Sequence, residues 1–461
     1  MSGIFGLDIA LGAIRANQLA MNVAAHNIAN ANTKGYRRQE VHFAANDPVR
    51  APIAIPGAGI PQLGTGVGIS AIRRSQTSFL DRQINNANQY LGTWDSRYDA
   101  LQQIEGYLAE PGDSGLRNTL DKFWNSWTEL ATSPESLTAR TAVYENGVAL
   151  ADRIRSLDGN MYELQQETDR TIISRVDDIN RLAQEIASLN SQIGIPTSEA
   201  TLPNDLMDKR DLLAEELAQI VKVEISGTGG GDQIISLGGA SLVQGSAVSL
   251  LTTTTGASGF AEIRWADTGS SASITGGEMK GLFEVRDDLV SAYRSNLDTI
   301  AQTIIDQVNA IHTTGLKMDG TAAGNFFSGT NASNIDIDPA LVPAGIAAGT
   351  TAAPKDNSVA DAIAGLRTTA LIGTQTIGEA YESLVAEIGS NSKEASTRVE
   401  AYNLSVSQLT SQRDSVAGVS LDEEMINMTK FEQAYNAAAR IFTVIDEMMD
   451  MVINRMGIAG R

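Results

Sequence analysis

The chain has 461 residues, no cysteine, a formal net charge of -21 and a sequence pI near 4.6. This rules out disulfides, thiolate metal sites and cysteine nucleophiles, and it argues against nucleic acid or an anionic membrane as partner, since both recruit Lys and Arg. A hydrophobic content of 42% supports a sizeable core, while 5% aromatics suits long helices and small β modules better than an enzyme pocket.

In the first thirty residues, Ile4, Leu7, Leu11, Ile14, Gln18, Met21, Ala25 and Ile28 alternate at spacings of three and four. That is the pattern of a coiled-coil seam, with Gln18 as a polar residue at one core-type position. Asp8 and Arg15 interrupt the segment, so it does not read as a secretory signal, and no stretch reaches the ~18–20 apolar residues of a membrane span. The pattern stops at "HNIANANTKGYRRQ", residues 26–39, where Asn30, Asn32 and Gly35 tolerate positive φ and can cap a helix C-terminus.

Residues 40–75 read as an extended or irregular surface segment. Helical spacing then dominates residues 80–110, 116–132, 138–194 and 204–221, with breaks at Pro111-Gly112, Ser133-Pro134 and Ile195-Pro196. From 222 to 278 the chain turns β-branched, alternates in short runs and is punctuated by Gly, which predicts a small antiparallel β module. Helical spacing resumes over 280–312, 376–391 and 392–416, and residues 318–358, rich in Pro, Gly, Ala and Asn, read as an irregular surface segment.

The last segment repeats the N-terminal pattern through Met428, Phe431, Tyr435, Ala438, Phe442, Ile445, Met449, Val452 and Met456. Asp422, Glu423 and Glu424 stand at its probable first turn, where carboxylates favour the positive end of the helix dipole. Both termini therefore carry apolar seams. The expectation is that they pair with each other, with neighbouring subunits, or both.

Catalytic patterns are missing from the sequence. His26, His42 and His312 are scattered without metal-ligand spacing. "GTGGGD" at 227–232 follows a strand and lacks the Gly-Lys-Ser/Thr ending of a phosphate loop, so it reads as a β-turn. The acidic turns "KMDGTAAGN" and "DIDPALVP" lack the closing Glu of a calcium loop. Adjacent carboxylates such as Asp177-Asp178, Asp287-Asp288 and Glu423-Glu424 splay apart on helices. No cofactor, metal or catalytic activity is expected.

"NIANANTKGYRRQ" at 27–39 resembles the N-terminal signature of the bacterial flagellar rod, hook and hook-associated proteins. "GTGVGISAIRRSQTSFLDRQINNAN" at 64–88, "PNDLMDKRDLLAEELAQIVKVEI" at 203–225 and "SVAGVSLDEEMINMTKFEQAYNAAARIFTVIDEMMDMVINRM" at 415–456 narrow the resemblance to the hook-associated protein 1 family. The likeness spans nearly the whole chain, although 318–358 is short where some members carry a large inserted domain. It implies a mainly α fold with inserted β: terminal α-helices paired as a coiled coil, an elongated helical middle domain and a small antiparallel β module. In the family the terminal helices line an axial channel.

On that resemblance, residues 1–38 with 417–461 would form the inner coiled-coil domain. Residues 39–221 with 279–416 would form the helical middle domain, carrying 222–278 as a β insertion. Ile4, Leu7, Leu11, Ile14, Met21, Ile28, Met428, Phe431, Tyr435, Phe442, Ile445, Met449 and Val452 would form the assembly seam. Asn27, Asn30, Thr33, Gly35 and Tyr36 would form the turn where the inner helix ends: Asn27, Asn30 and Thr33 satisfying freed backbone groups, Gly35 allowing the reversal.

The implied role is a structural adaptor at the flagellar hook-filament junction, extracellular and exported by the flagellar type III pathway without a cleaved signal peptide. Its expected partners are further copies of itself, the hook protein, the second junction protein and a cytoplasmic export chaperone at the C-terminal helix. No nucleic acid or membrane insertion is expected. A hook or distal rod protein is the nearest alternative, followed by a flagellum-associated peptidoglycan hydrolase and a secreted adhesin or effector using the same route.

Overall fold

A computed structural model describes residues 2–50, 62–195, 203–227, 231–351, 353 and 355–452. The elements in chain order begin with helix α1 (Ser2–Ala29) and strands β1 (Gln39–Ala45), β2 (Val49–Arg50), β3 (Gln62–Leu63) and β4 (Val67–Arg74). Four helices follow: α2 (Ser78–Leu108), α3 (Leu116–Thr132), α4 (Leu137–Ile193) and α5 (Asn204–Ile220). Strands β5 (Val223–Ser226), β6 (Ile234–Leu237), β7 (Ala240–Gln244), β8 (Ala247–Val248), β9 (Leu251–Thr255) and β10 (Ala261–Trp265) come next. A π turn over Glu284–Leu289 joins α6 (Glu278–Phe283) to α7 (Val290–His312), and β11 (Phe327–Ser328), β12 (Asp336–Ile337), α8 (Ser358–Gly365), α9 (Ile377–Ala417) and α10 (Leu421–Asp450) complete the chain.

The chain divides into two compact units. The first comprises Met1–Asn88, Ile179–Leu250 and Leu404–Arg461; the second comprises Gln89–Asp178 and Leu251–Asn403. In the first, α1 runs along α10. Close approach is possible because α1 turns small residues inward: Ala10, Ala16, Ala20 and Ala24 are all buried. At Gly6 a Cβ would fall 2.8 Å from Ile445 Cδ1, so a larger residue there would require the tip of the Ile445 side chain to shift.

Strands β1 and β4 form an antiparallel ribbon running from Gln39 opposite Arg74 to Ala45 opposite Val67, with an irregularity at His42/Phe43. Residues 40–75, expected as extended or irregular, form this ribbon and a second short one, β2 with β3, joined by irregular residues where they are described. In the same unit β5 to β8 form one four-stranded sheet in sequential order. Asn190 of α4 holds this sheet by donating to Gly245 O at 2.9 Å, while Arg210 of α5 donates to Asn190 Oδ1 at 3.0 Å.

The second unit is built on α3, α7, α8 and the adjoining parts of α2, α4 and α9. Its centre is aromatic: Phe123, Trp127, Phe326 and Phe327 are fully buried, with ring centroids of Phe326 and Trp127 5.4 Å apart. The stretch 318–358 is irregular, yet it is not a surface segment throughout, since Phe326, Phe327, Ile335, Ile346 and Ala347 are carried into this core. Side chains supply the bonds that an irregular buried backbone needs. Asn309 Oδ1 accepts from the Phe326 and Phe327 N–H groups, and His312 Nε2 accepts from Ala347 N–H at 3.0 Å.

Strands β9 and β10 form a separate two-stranded sheet in this second unit, so the β-rich stretch 222–278 is divided between two sheets among the described residues. Arg286, on the π turn, explains the attachment: its guanidinium donates to Ala261 O at 3.0 Å and pairs with Asp169 of α4, whose Oδ1 also accepts from Ala261 N–H. No helix among the described residues is long and apolar enough to cross a membrane.

Candidate functional site

The motif that ends α1 closes on a buried side chain. Asn27 is 1% exposed, and both ends of its amide are fully used. Its Nδ2 donates to Gln39 O at 2.9 Å and to Glu424 Oε2 at 3.1 Å. Its Oδ1 accepts from Tyr36 O–H at 2.7 Å and from Gln39 N–H at 3.0 Å. One residue of α1 thereby fixes the start of β1, the turn between them and the first turn of α10.

The surrounding turn follows from local chemistry. Asn30 Nδ2 donates to the His26 carbonyl at 3.1 Å, satisfying a group freed at the helix end. Thr33 Oγ1 donates to Asn30 Oδ1 at 3.2 Å, and Gly35 reverses the chain with φ of 81°. Burial, and then the carboxylates Asp205, Asp208 and Glu424, hold the Tyr36 phenol well above its usual pKa, so it remains a donor.

On the C-terminal side, Ser420 caps α10 by accepting from Glu423 N–H at 3.5 Å. The three acidic residues of that turn have different surroundings. Glu424 is 3% exposed and pairs with Arg38 Nε at 2.8 Å, while the exposed Glu423 takes Arg38 Nη1 at 2.9 Å. Arg38 N–H also donates to Ala417 O at 2.8 Å, which fixes the link between α9 and α10.

Arg37 points into an adjoining ion cluster. Its guanidinium makes a two-pronged contact with Asp81 of α2, both bonds 2.9 Å, and its backbone N–H donates to Asp208 of α5 at 3.1 Å. Arg74 at the end of β4 reaches Asp208 and Asp211, each at 2.8 Å. Burial raises the Asp208 carboxyl above its ordinary pKa despite the opposing pull of Arg74 and Arg37.

Of the seam residues, Met428, Phe431, Tyr435, Phe442, Ile445 and Met449 are half-buried along α10, and Ala438 between them is buried. Phe431 meets Phe43 of β1 with ring centroids 6.1 Å apart. Val452 is 60% exposed. On α1, Leu7, Leu11, Ile14, Met21 and Ile28 are half-buried beside a more buried line of Ala10, Ala16, Ala20, Val23 and Ala24. Ile4 lies in α1, with its side chain outside the described residues.

A second apolar line on α10, Ile441, Val444 and Met448, is 49 to 55% exposed. Sequence reasoning passed over this open line, and it passed over Arg37, Arg38, Gln39 and Glu424 as site residues. The signals were the basic pair and Gln inside the motif, and a carboxylate in the first turn of an apolar helix.

Both helices of this site have counterparts in known proteins. Residues 7–37 match the family described as flagella basal body rod protein, and residues 410–456 match that described as flagellar basal body rod FlgEFG protein C-terminal. Terminal helices joined at this motif make the chain a flagellar axial structural protein. Residues 101–327 match the family described as flagellar hook-associated protein FlgK helical domain.

The chain belongs to the flagellar hook-associated protein 1 family. It is 32% identical to flagellar hook-associated protein 1 of Bacillus subtilis (strain 168), covering 100% of both chains. It is 26% identical to the Salmonella typhimurium protein of the same name, covering 97% of this chain and 99% of the other. Its fold is similar to the flagellar hook junction protein FlgK from Burkholderia pseudomallei, with a TM-score of 0.66, 16% identity, and coverage of 72% of this chain and 100% of that one.

Proposed function

We propose that this protein is the structural adaptor of the flagellar hook-filament junction, assembling with copies of itself between the hook protein and a second junction protein. The observation that carries the reading is the buried Asn27–Glu424 contact, which sets α1 and α10 side by side while one apolar line of α10 stays open. An exposed apolar stripe beside a paired helix is a surface for further packing. Head-to-tail repetition of such contacts builds a tube rather than a closed dimer. The role calls for no catalysis, cofactor or metal.

Export through the flagellar type III pathway, without a cleaved signal peptide, fits helices whose stability comes mainly from the neighbours they pack against. The terminal helices would travel largely unfolded and order on assembly outside the cell. Before export the α10 seam is an aggregation hazard, and a cytoplasmic chaperone would cover Phe431, Tyr435, Phe442, Ile445 and Met449 in a helix-in-groove mode. Calorimetry with a chain lacking residues 421–461 tests this, because unchanged chaperone binding would sink the assignment.

Gene deletion followed by electron microscopy and immunoblotting tests the adaptor role. Complete hooks without filaments, with flagellin shed into the medium, are expected. Absent hooks would make the protein a hook or rod component, and normal filaments would overturn the axial role altogether.

A further inference from the structure

Methionine is unevenly placed in this chain. Met161, Met207 and Met279 are at most 4% exposed, whereas Met318, Met425, Met448 and Met451 are 49 to 61% exposed. Of the exposed four, all but Met318 belong to α10 or to the residue that follows it. The chain has no cysteine, so no thiol competes with these accessible thioethers for a peroxide.

Met448 differs from the others in what lies beside it. It ends the open line of α10, where Ala437, Ile441, Val444 and Met448, all exposed, follow one another at spacings of four, three and four. That is the spacing of a helix-packing seam, separate from the more buried seam between Met428 and Met449. At about 3.6 residues per turn, Met425 falls roughly 140° round the helix from Met448, away from this line. A helix of a neighbouring copy is the occupant that fits: α1 carries the same spacing through Leu7, Leu11 and Ile14, which are only half-buried.

We propose that Met448 is a site of reversible oxidation, and that its sulfoxide keeps a chain out of the assembly. A peroxide supplies the oxygen: the Sδ lone pair forms an S–O bond, the O–O bond breaks and, for hydrogen peroxide, water leaves. The sulfur loses two electrons and the peroxide gains them. An apolar, flexible tip becomes a strong acceptor, and between packed apolar faces its oxygen has no donor, so burying it opposes the contact. A methionine sulfoxide reductase reverses the step. The inference rests on the assembly reading above; oxidation acts on the free chain, and incorporation shields the sulfur.

To test this, the soluble chain is treated with hydrogen peroxide and each methionine is scored by peptide mass spectrometry. The product is offered to hook-bearing cells that lack the gene, with incorporation read by immunogold labelling. Sulfoxide is expected at Met318, Met425 and Met448 well before Met161, Met207 and Met279, and incorporation should fall about tenfold, the effect of one unpaired buried polar group. Met448→Leu, which keeps an apolar side chain of similar volume, should incorporate normally and resist peroxide. Met425→Leu should stay sensitive, and sulfoxide reductase should restore the oxidised parent.

Normal incorporation of the oxidised chain, equal peroxide sensitivity of Met448→Leu, or a fall in melting temperature that accounts for the loss would overturn the proposal. Met448→Gln gives the answer without oxidant: reduced incorporation is expected, and parental levels would count against the site. Failure of the assembly reading looks different. It would appear as undiminished incorporation of Phe442→Asp, whereas loss of that variant together with incorporation indifferent to peroxide would refute the Met448 inference alone.

Discussion

Replacing Asp208 by Ala removes the acceptor that Arg74 Nη1 meets at 2.8 Å and the Arg37 backbone N–H meets at 3.1 Å. Arg74 stays almost fully buried and keeps Asp211 at 2.8 Å. Removing one partner of a buried pair costs ~3–5 kcal/mol, and the surviving Asp211 contact reduces the expectation to about 2–3 kcal/mol. For a unit of this size that corresponds to a fall in melting temperature of roughly 5–10 °C.

Circular dichroism melts and urea unfolding of the soluble chain would measure it, with the exposed Glu216→Ala on the same helix as a control expected within about 0.5 kcal/mol. Because burial already raises the Asp208 pKa, pairing only partly offsets the desolvation of its charge. The double variant Arg74→Met with Asp208→Leu should therefore recover most of the loss. A single-variant shift below about 1 °C, or a double variant no better than Asp208→Ala, would refute this account of the cluster.

At the junction itself, Asn27→Asp places a carboxylate against Glu424 and should reduce filament-bearing cells more severely than Asn27→Ala; equal counts would show that the 3.1 Å contact is not formed in the assembled state. Phe442→Asp should block incorporation while leaving the melting of the second unit unchanged, as read by immunogold labelling and calorimetry. Gly35→Ala, at φ of 81°, should destabilise the turn by about 1 kcal/mol in a urea melt, and no change would contradict the strained reversal.

Burial lowers the His312 pKa below its usual 6.5, with its contact to Gly324 O opposing and Arg140 reinforcing the shift. Its contribution to stability is then complete above pH ~6.5 and declines as the pH falls below that value. His312→Gln should flatten this part of the pH dependence in melts between pH 8 and 5, and an identical slope in both proteins would count against it.

Much of this architecture was legible in the sequence because helical periodicity reports burial directly. The α10 seam from Met428 to Met449 coincides with its more buried face, and the breaks near Pro111 and Pro134 fall between helices. Other features could not be read from periodicity. On α1 the most buried line consists largely of alanines, which a search for large apolar residues passes over, since small residues are chosen for how closely two helices approach.

The irregular stretch 318–358 looked superficial because it is rich in Gly, Ala and Asn. Its burial depends on Asn309 and His312 in α7, partners that a local reading does not connect. The division of the β-rich stretch likewise depends on Asn190 and Arg286, each remote in sequence from the strand it holds. Asn27 stood out as a capping residue, while its main work, binding both backbone groups of Gln39 and the carboxylate of Glu424, is long-range.

The Asn27–Glu424 contact spans 397 positions of the chain. During synthesis the two residues cannot meet until nearly the entire polypeptide has emerged. A product truncated anywhere before residue 424 leaves the motif's amide without its carboxylate, however well the rest has folded. A chain that lacks residue 424 therefore cannot make this contact between the end of α1 and the first turn of α10.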